Sequence, residues 1–169
     1  MQRKLIGLSE AARLVPSGSS IAMGGSIIRR SPAAFARELI RQGVTDLRIL
    51  AFPAGFTMDL LAGAGAVKRV EAVYEGLFQF GMAFNFRRAV EAGTLEVGDF
   101  PETAMIARFR AAAQGVSFLP TQVLLGTDMA AHNPEQIREI TCPFTGGKYH
   151  AVEAAHTDFT VLHGYVGDE

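Results

Sequence analysis

A short uncharged run followed by two glycines constrains the fold more than any other feature of this sequence. Residues 21–23 are Ile-Ala-Met, which is typical of a strand that is covered on both faces. Gly24 and Gly25 end this run. Adjacent glycines permit positive φ and leave no Cβ between the backbone and a neighbouring group. The pattern predicts a buried strand that ends in a tight turn.

A helix is predicted to start directly after this turn. Ser31 is the predicted N-cap, and Pro32 suits the first helical position. A glycine turn that leads into a helix N-terminus can hold an anion or a carbonyl oxygen, and Arg29 and Arg30 add positive charge there. An ordinary turn with solvated arginines explains the same residues, so both interpretations stand at this stage.

Predicted helices and strands alternate from residue 9 to about residue 115. This alternation is typical of an α/β fold, and we expect an open, mainly parallel sheet with helices on both faces. Ligands of such sheets bind outside the carboxyl ends of the strands, which is where Gly24 and Gly25 fall. A hairpin is predicted over residues 139–152, and a last strand over residues 159–163.

Length and composition indicate one globular domain spanning residues 1–169. The formal net charge is -1, so no overall field favours nucleic acid or an anionic membrane. No apolar run is long enough to span a bilayer. Cys142 is the single cysteine, which excludes an internal disulfide. We therefore expect a cytoplasmic protein with no nucleic-acid or membrane partner.

The glycine turn does not match the common nucleotide-binding and catalytic motifs. It has bulky Ile27 and Ile28 where a dinucleotide fingerprint needs glycine, and no Gly-Lys-Ser/Thr sequence follows. Ser26 lacks the second glycine of a nucleophile elbow. The histidines and the cysteine have no compact metal-binding spacing, so no metal site is predicted. These residues are His132, Cys142, His150, His156 and His163.

Two carboxylates stand at predicted element boundaries. Glu102 follows Pro101 in the first turn of a predicted helix, where its charge favours the helix dipole, so helix capping is the preferred interpretation. Glu75 follows the third predicted strand, and a solvated loop charge is preferred there. Further along the helix that starts near Glu102, Arg108 is expected to point to solvent.

Four phenylalanines are crowded into a segment that breaks the helix–strand periodicity. We prefer to interpret them as a core cluster, and the alternative is an apolar wall for an acyl chain or a partner subunit. They are Phe78, Phe80, Phe84 and Phe86.

Several separate stretches resemble the α subunits of family I CoA transferases, and the glutaconate CoA-transferase type in particular. The stretch Met-Gly-Gly-Ser-Ile-Ile-Arg-Arg-Ser-Pro-Ala-Ala-Phe over residues 23–35 is similar to the first-strand loop of that family. The other similar stretches, in chain order, are residues 73–77, 83–93, 104–113, 118–121, 125–128, 143–146 and 163–169. The resemblance covers most of the chain.

The resemblance implies an open α/β CoA-transferase fold and a β-subunit partner, with an α2β2 assembly expected. In that family a β-subunit glutamate attacks the acyl-CoA thioester and forms a glutamyl-CoA thioester. The substrates would be an acyl-CoA and a carboxylic acid, with no tightly bound cofactor. By the same resemblance, Gly24, Gly25 and Ser26 would supply shape and hydrogen-bond donors, and Arg29 or Arg30 would lie near an acid or a CoA phosphate.

The sequence departs from this family in one respect, and a related branch offers a second activity. The chain stops at Glu169, where the family continues, so we expect the domain to be incomplete at its C-terminus. The related branch hydrolyses a carbon–carbon bond of a cyclic-ketone CoA ester in steroid ring degradation. Under that hydrolase interpretation alone, Glu102 is a catalytic candidate. A non-catalytic metabolite-binding module is the third hypothesis.

Overall fold

The computed structural model describes residues 4–167, which form two compact units. Residues 4–97 with residues 157–167 form the first, and Gly98–His156 form the second. The single domain over residues 1–169 and its expected incompleteness stay predictions. Residues 1–3 and 168–169 lie outside the described residues, and so does the end of the similar stretch over residues 163–169.

The elements alternate along the chain much as the sequence predicts. The helices are α1 (Leu8–Arg13), α2 (Ala33–Arg41), α3 (Phe56–Gly63), α4 (Phe84–Glu91), α5 (Glu102–Gln114) and α6 (Met129–His132). The strands are β1 (Ser20–Met23), β2 (Leu47–Ala54), β3 (Val67–Glu75), β4 (Glu96–Asp99), β5 (Phe118–Thr121), β6 (Ile137–Thr141), β7 (Lys148–Glu153) and β8 (Phe159–Val161). None of the helices within residues 4–167 is long and apolar enough to cross a membrane.

The larger sheet has the strand order β4-β3-β2-β1-β8. β1 pairs in parallel with β2 and with β8, and β2 pairs in parallel with β3. The prediction of an open, mainly parallel α/β sheet flanked by helices is therefore confirmed. Since the strands run in one direction, the turns after β1, β2 and β3 lie along one edge of the sheet.

The core of the first unit lies between this sheet and the helices that connect its strands. Leu39 of α2 and Leu61 of α3 are fully buried against Ile21, Ile49 and Val70 of β1, β2 and β3. Each such side chain contributes roughly 1.5–3 kcal/mol by leaving water. This packing fixes the strand ends, and with them the turns that carry the candidate site.

β8 is attached to β1 by a polar clasp between residues that are far apart in sequence. Asp158 Oδ2 accepts hydrogen bonds from the Ser20 backbone N–H at 2.8 Å and from its hydroxyl at 2.7 Å. These two hydrogen bonds lower the pKa of the Asp158 carboxyl. The clasp sets the register that brings the end of β8 beside the end of β1.

The second unit contains α5 and a three-stranded antiparallel sheet of order β5-β7-β6. β6 and β7 form the hairpin that the sequence predicts. Pro120 lies in β5, an edge strand of this sheet, where the missing N–H of proline is tolerated.

Arg108 contradicts its sequence-based prediction, because it is fully buried in the second unit rather than solvated. Its Nε donates to the Glu153 carbonyl oxygen at 3.2 Å, and its guanidinium carbon lies 4.3 Å from the Phe100 ring centroid. Ala104, Arg108 and Ala111 share the buried face of α5. The helical spacing of small residues, rather than the charge, decides where the arginine points.

Asp59 of α3 caps α4 from outside that helix. Its carboxylate accepts hydrogen bonds from the Asn85 N–H at 2.7 Å, the Phe86 N–H at 3.0 Å and the Asn85 side-chain amide at 2.8 Å. Asp59→Ala leaves these donors without the carboxylate, so we expect it to lower the free energy of unfolding by about 2 kcal/mol. Urea denaturation measures the change.

Asp128→Ala is the matched control, because Asp128 is exposed and pairs only weakly with His132 at 3.3 Å. We expect its effect to stay within about 0.5 kcal/mol. Equal effects of the two variants would contradict the capping role of Asp59.

Candidate functional site

Three backbone turns meet at the carboxyl edge of the parallel sheet. The Phe56 N–H donates to the Ile27 carbonyl oxygen at 3.0 Å, which joins the turn after β2 to the turn after β1. A Cβ added at Gly55 would lie 2.8 Å from Ile27 Cα and 2.9 Å from the Gly76 carbonyl oxygen. Only glycine at position 55 lets the three turns approach this closely.

The turn after β1 is held by its own backbone. Ser26 and Arg29 exchange two N–H to carbonyl hydrogen bonds, each 2.8 Å long. Gly25 has a φ of 116°, and a Cβ there would lie 2.6 Å from the Arg30 carbonyl oxygen. The double glycine is therefore required by both conformation and space, as the sequence indicates.

The predicted helix cap at Ser31 is wrong. α2 begins at Ala33 with Pro32 as its N-cap residue, and no side chain caps it. The Ser31 hydroxyl instead donates to the Ile27 carbonyl oxygen at 2.9 Å. That hydrogen bond closes the glycine turn from within, so the serine stabilises the turn rather than the helix.

The predicted hydrogen-bond donors of the turn are partly used within the fold. The Gly24 N–H donates to the Val161 carbonyl oxygen at 2.9 Å, and the Ser26 N–H donates to Arg29. The predicted donor role of this loop therefore narrows to the Gly25 N–H and the Ser26 hydroxyl. Arg29 and Arg30 are exposed on the same loop, where their proposed contact with an acid or a CoA phosphate stays a prediction.

His163 is a residue near this loop that sequence reasoning considered only as a metal ligand. Its Nδ1 lies 3.0 Å from the Ser31 carbonyl oxygen, and its ring lies beside Tyr165. The pairing of β8 with β1 brings it there from a position 132 residues away in sequence. No local sequence signal predicts that contact. Within residues 4–167, no group of three or more His, Cys, Asp or Glu side chains is placed to hold a metal ion.

A small cleft opens between the turns after β1 and β2. Its volume is about 20 Å³. Its lining comes from β1, β2, the two turns and the start of α3, and includes Gly24, Gly25, Ser31, Gly55, Thr57 and Met58. A cavity of this size holds about one water-sized group. The space therefore suits a single oxygen atom rather than a ring or a phosphate.

Thr57 is the polar side chain of this cleft that the sequence analysis missed. The residue is 5% exposed, and its Oγ1 has no hydrogen-bond partner within the described part of the chain. It lies in the first turn of α3, whose backbone N–H groups have no acceptor within the helix. A lone hydroxyl residue in an otherwise apolar helix start was the sequence signal that could have identified it.

Glu75 contradicts the prediction of a solvated charge. Both of its carboxyl oxygens are buried, and neither has a hydrogen-bond partner among residues 4–167. Burial raises the pKa of this carboxyl to about 9, and the nearby Asp59 carboxylate raises it further. Glu75 is therefore a neutral acid at pH 7 at the end of β3. Perturbed carboxyls of this kind concentrate at functional sites.

The preferred interpretation of the four phenylalanines as a core cluster is wrong. Phe78, Phe80 and Phe84 are 58%, 64% and 59% exposed, and Phe86 alone packs partly against the core. The segment folds as a short 3-10 turn at Phe78–Phe80 before α4, which leaves its rings outside. The alternative, an apolar wall for an acyl chain or a partner subunit, therefore fits these residues better.

Glu102 is the first residue of α5, directly after the N-cap residue Pro101. Its position at a helix start is confirmed, and the residue is exposed. A carboxylate there interacts favourably with the helix dipole. Its catalytic role stays a prediction.

A larger cavity of about 540 Å³ lies in the second unit, against the three-stranded sheet. Its lining is nearly all apolar and has no charged side chain. It thus offers no group that would hold a carboxylate or a CoA phosphate. The smaller cleft has the polar groups that thioester chemistry needs. The lining residues of the larger cavity are Val116, Ser117, Phe118, Pro120, Ile140, Cys142, Pro143, Phe144 and Tyr149.

Known proteins share both this sequence and this fold. Residues 7–169 match the sequence model of the family described as Coenzyme A transferase. The chain is 32% identical over 169 residues to one of the two subunits of 3-oxoadipate CoA-transferase from Pseudomonas knackmussii, a match that covers 98% of this chain and 59% of that protein. It is 31% identical over 175 residues to the cholesterol ring-cleaving hydrolase IpdA subunit of Rhodococcus jostii, covering 98% and 58%.

The crystal structure of glutaconate coenzyme A-transferase from Acidaminococcus fermentans matches with a TM-score of 0.85 at 30% identity, covering 95% of this chain and 56% of that one. An open parallel α/β sheet with a glycine turn at its carboxyl edge therefore places the chain among CoA-ester enzymes of this architecture. The chain belongs to the coenzyme A transferase family. It spans less than two thirds of the length of these relatives.

Proposed function

We propose that this chain acts as the α subunit of a CoA transferase, in complex with a β subunit that carries a nucleophilic glutamate. The reaction would move CoA from an acyl-CoA to a free carboxylic acid. Family membership supports the reaction class. The relative from Pseudomonas knackmussii is named as one subunit of its enzyme, which supports a two-subunit arrangement. An α2β2 stoichiometry is part of this proposal.

The observation that carries the proposal is the bare backbone edge formed by the glycine turns after β1, β2 and β3. In the proposed reaction the partner's carboxylate attacks the thioester carbonyl and displaces the CoA thiolate, giving an acyl–glutamyl anhydride. The thiolate then attacks the glutamyl carbonyl, which gives a glutamyl-CoA thioester and releases the first acid. The acceptor acid completes transfer by the reverse sequence. Each step places negative charge on a carbonyl oxygen that donors must stabilise.

A trapping experiment tests the transferase proposal. The chain is co-purified with its β-like partner and incubated with acyl-CoA, and borohydride then reduces the glutamyl-CoA thioester to an alcohol. Mass spectrometry is expected to find one modified glutamate, on the partner subunit. A sample incubated with free CoA in place of acyl-CoA is the control. An unmodified partner in a complex that consumes acyl-CoA would overturn the transferase proposal.

A second candidate function, hydrolysis of a cyclic-ketone CoA ester, is supported by one position. Glu102 is exposed at the start of α5, and one similar relative is named as a ring-cleaving hydrolase subunit. Loss of turnover in Glu102→Gln, together with the absence of a glutamyl adduct, would favour hydrolysis. Binding of a CoA ester without turnover would instead favour a metabolite-binding module.

A further inference from the structure

We propose that the Thr57 hydroxyl binds the carbonyl oxygen of the CoA thioester in the small cleft beside the glycine turn. This inference rests on the proposed function, because it assigns a role in the handling of a CoA thioester. It adds a residue that touches the reacting group, contributed by this chain rather than by its partner.

The first step of the argument is the unused hydrogen-bonding capacity of Thr57. A buried hydroxyl with no partner is unfavourable, since it loses its hydrogen bonds to water without a replacement. Thr57 is only 5% exposed, and its Oγ1 is without a partner among residues 4–167. Sites that retain such a group commonly use it for a ligand.

The second step is the surroundings of this hydroxyl. Thr57 and Met58 line the cleft from the first turn of α3, where backbone N–H groups point away from the helix. The Phe56 N–H is already donated to Ile27, and the Asp59 N–H to Gly55. The N–H groups of residues 57 and 58 therefore lie between two that are used, at the end of the helix that favours negative charge.

The third step is size. The cleft has a volume of about 20 Å³, enough for one oxygen atom and too small for a phosphate or an acyl chain. Gly24, Gly25 and Gly55 form its other walls without side chains, so a flat thioester can approach the backbone. Threonine in a helix uses two χ1 rotamers, which gives the hydroxyl a second orientation when a ligand enters. A carbonyl oxygen meets all three conditions.

Binding of two unreactive acetyl-CoA analogues tests this assignment on the complex of the chain with its partner. The carba(dethia) ketone analogue keeps the carbonyl in place, and S-ethyl-CoA lacks it. We expect the wild-type complex to bind the ketone about fivefold more tightly by calorimetric titration. Thr57→Val, which keeps the shape and removes the hydroxyl, is expected to abolish this preference. Thr57→Ser is expected to keep it.

Turnover gives a second measurement on the same variants. We expect Thr57→Val to lower kcat about 100-fold with little change in KM, because the hydrogen bond strengthens as charge develops on the carbonyl oxygen. Thr57→Ser is expected to stay within about threefold of wild type. Thermal unfolding checks that each variant is folded, and Thr57→Ala replaces the valine variant if valine disrupts packing.

The outcomes separate this inference from the proposed function. If the wild-type complex transfers CoA and Thr57→Val keeps both the ketone preference and the rate, the role of Thr57 is overturned and the transferase stands. If no transfer occurs but the ketone preference depends on Thr57, the transferase is overturned and the carbonyl site stands. A wild-type complex that binds the two analogues equally overturns the Thr57 assignment, whatever its activity.

Discussion

Glu75→Gln is expected to raise the free energy of unfolding by about 4 kcal/mol at pH 8 and by almost nothing at pH 4.5. The pKa of Glu75 is about 9 in the folded protein and near 4.5 in an unfolded chain. Between these values the folded state holds a proton that the unfolded state has released. Wild-type stability therefore falls as pH rises through this window, at about 1.4 kcal/mol per pH unit from this residue. Glutamine is neutral throughout and removes that loss.

Urea denaturation at half-unit steps from pH 4.5 to pH 8.5 measures this difference. Glu91→Gln is the matched control, because Glu91 is exposed on α4 and forms a surface pair with Arg87 at 2.7 Å. Its effect is expected to stay within about 0.5 kcal/mol at every pH. A difference between Glu75→Gln and wild type that does not grow with pH would show that Glu75 is ionised in the fold.

Gly25→Ala is expected to lower the free energy of unfolding by about 4 kcal/mol. About 2 kcal/mol comes from holding alanine at the φ of 116° that Gly25 adopts. A similar amount comes from the new Cβ, which would lie 2.6 Å from the Arg30 carbonyl oxygen and force the turn to move. The same displacement would disturb the cleft, so we expect any CoA-ester turnover of the complex to be lost as well.

Gly43→Ala separates the two causes of this loss. Gly43 has a φ of 72°, but a Cβ there would meet no atom within 4 Å. It therefore reports the backbone cost alone, which we expect to be about 1 kcal/mol. Equal losses for the two variants would mean that the close approach to Arg30 is relieved without cost, and would contradict a rigid turn.

The predictions for Glu75 and Thr57 share a physical basis. Each is a polar group that the fold keeps out of water with no partner among the described residues. Removing the polarity of either should leave stability unchanged or improve it, while function is expected to suffer at Thr57. Sites that reduce stability in this way are retained where a ligand uses them.

The fold class could be predicted from local patterns. Apolar runs, glycine stops and helix spacing are properties of neighbouring residues, and they indicated the alternating elements, the hairpin and the glycine turn after β1. The same patterns failed for Arg108 and the phenylalanines. Burial of Arg108 depends on Phe100 and on the Glu153 carbonyl oxygen, which come from other elements. Exposure of Phe78 and Phe80 depends on how a short 3-10 turn leaves the sheet.

The sequence by itself determined the parallel α/β architecture, the family, and the need for glycine at the end of the first strand, because these follow from periodicity, from motif similarity and from backbone sterics. The tertiary structure alone decided that Glu75 is neutral, that Ser31 closes the turn, that His163 lies beside it, and that Thr57 enters the cleft with a free hydroxyl. Desolvation and hydrogen bonding act through space between residues far apart in the chain. No local pattern encodes which groups the packing of the strands brings together.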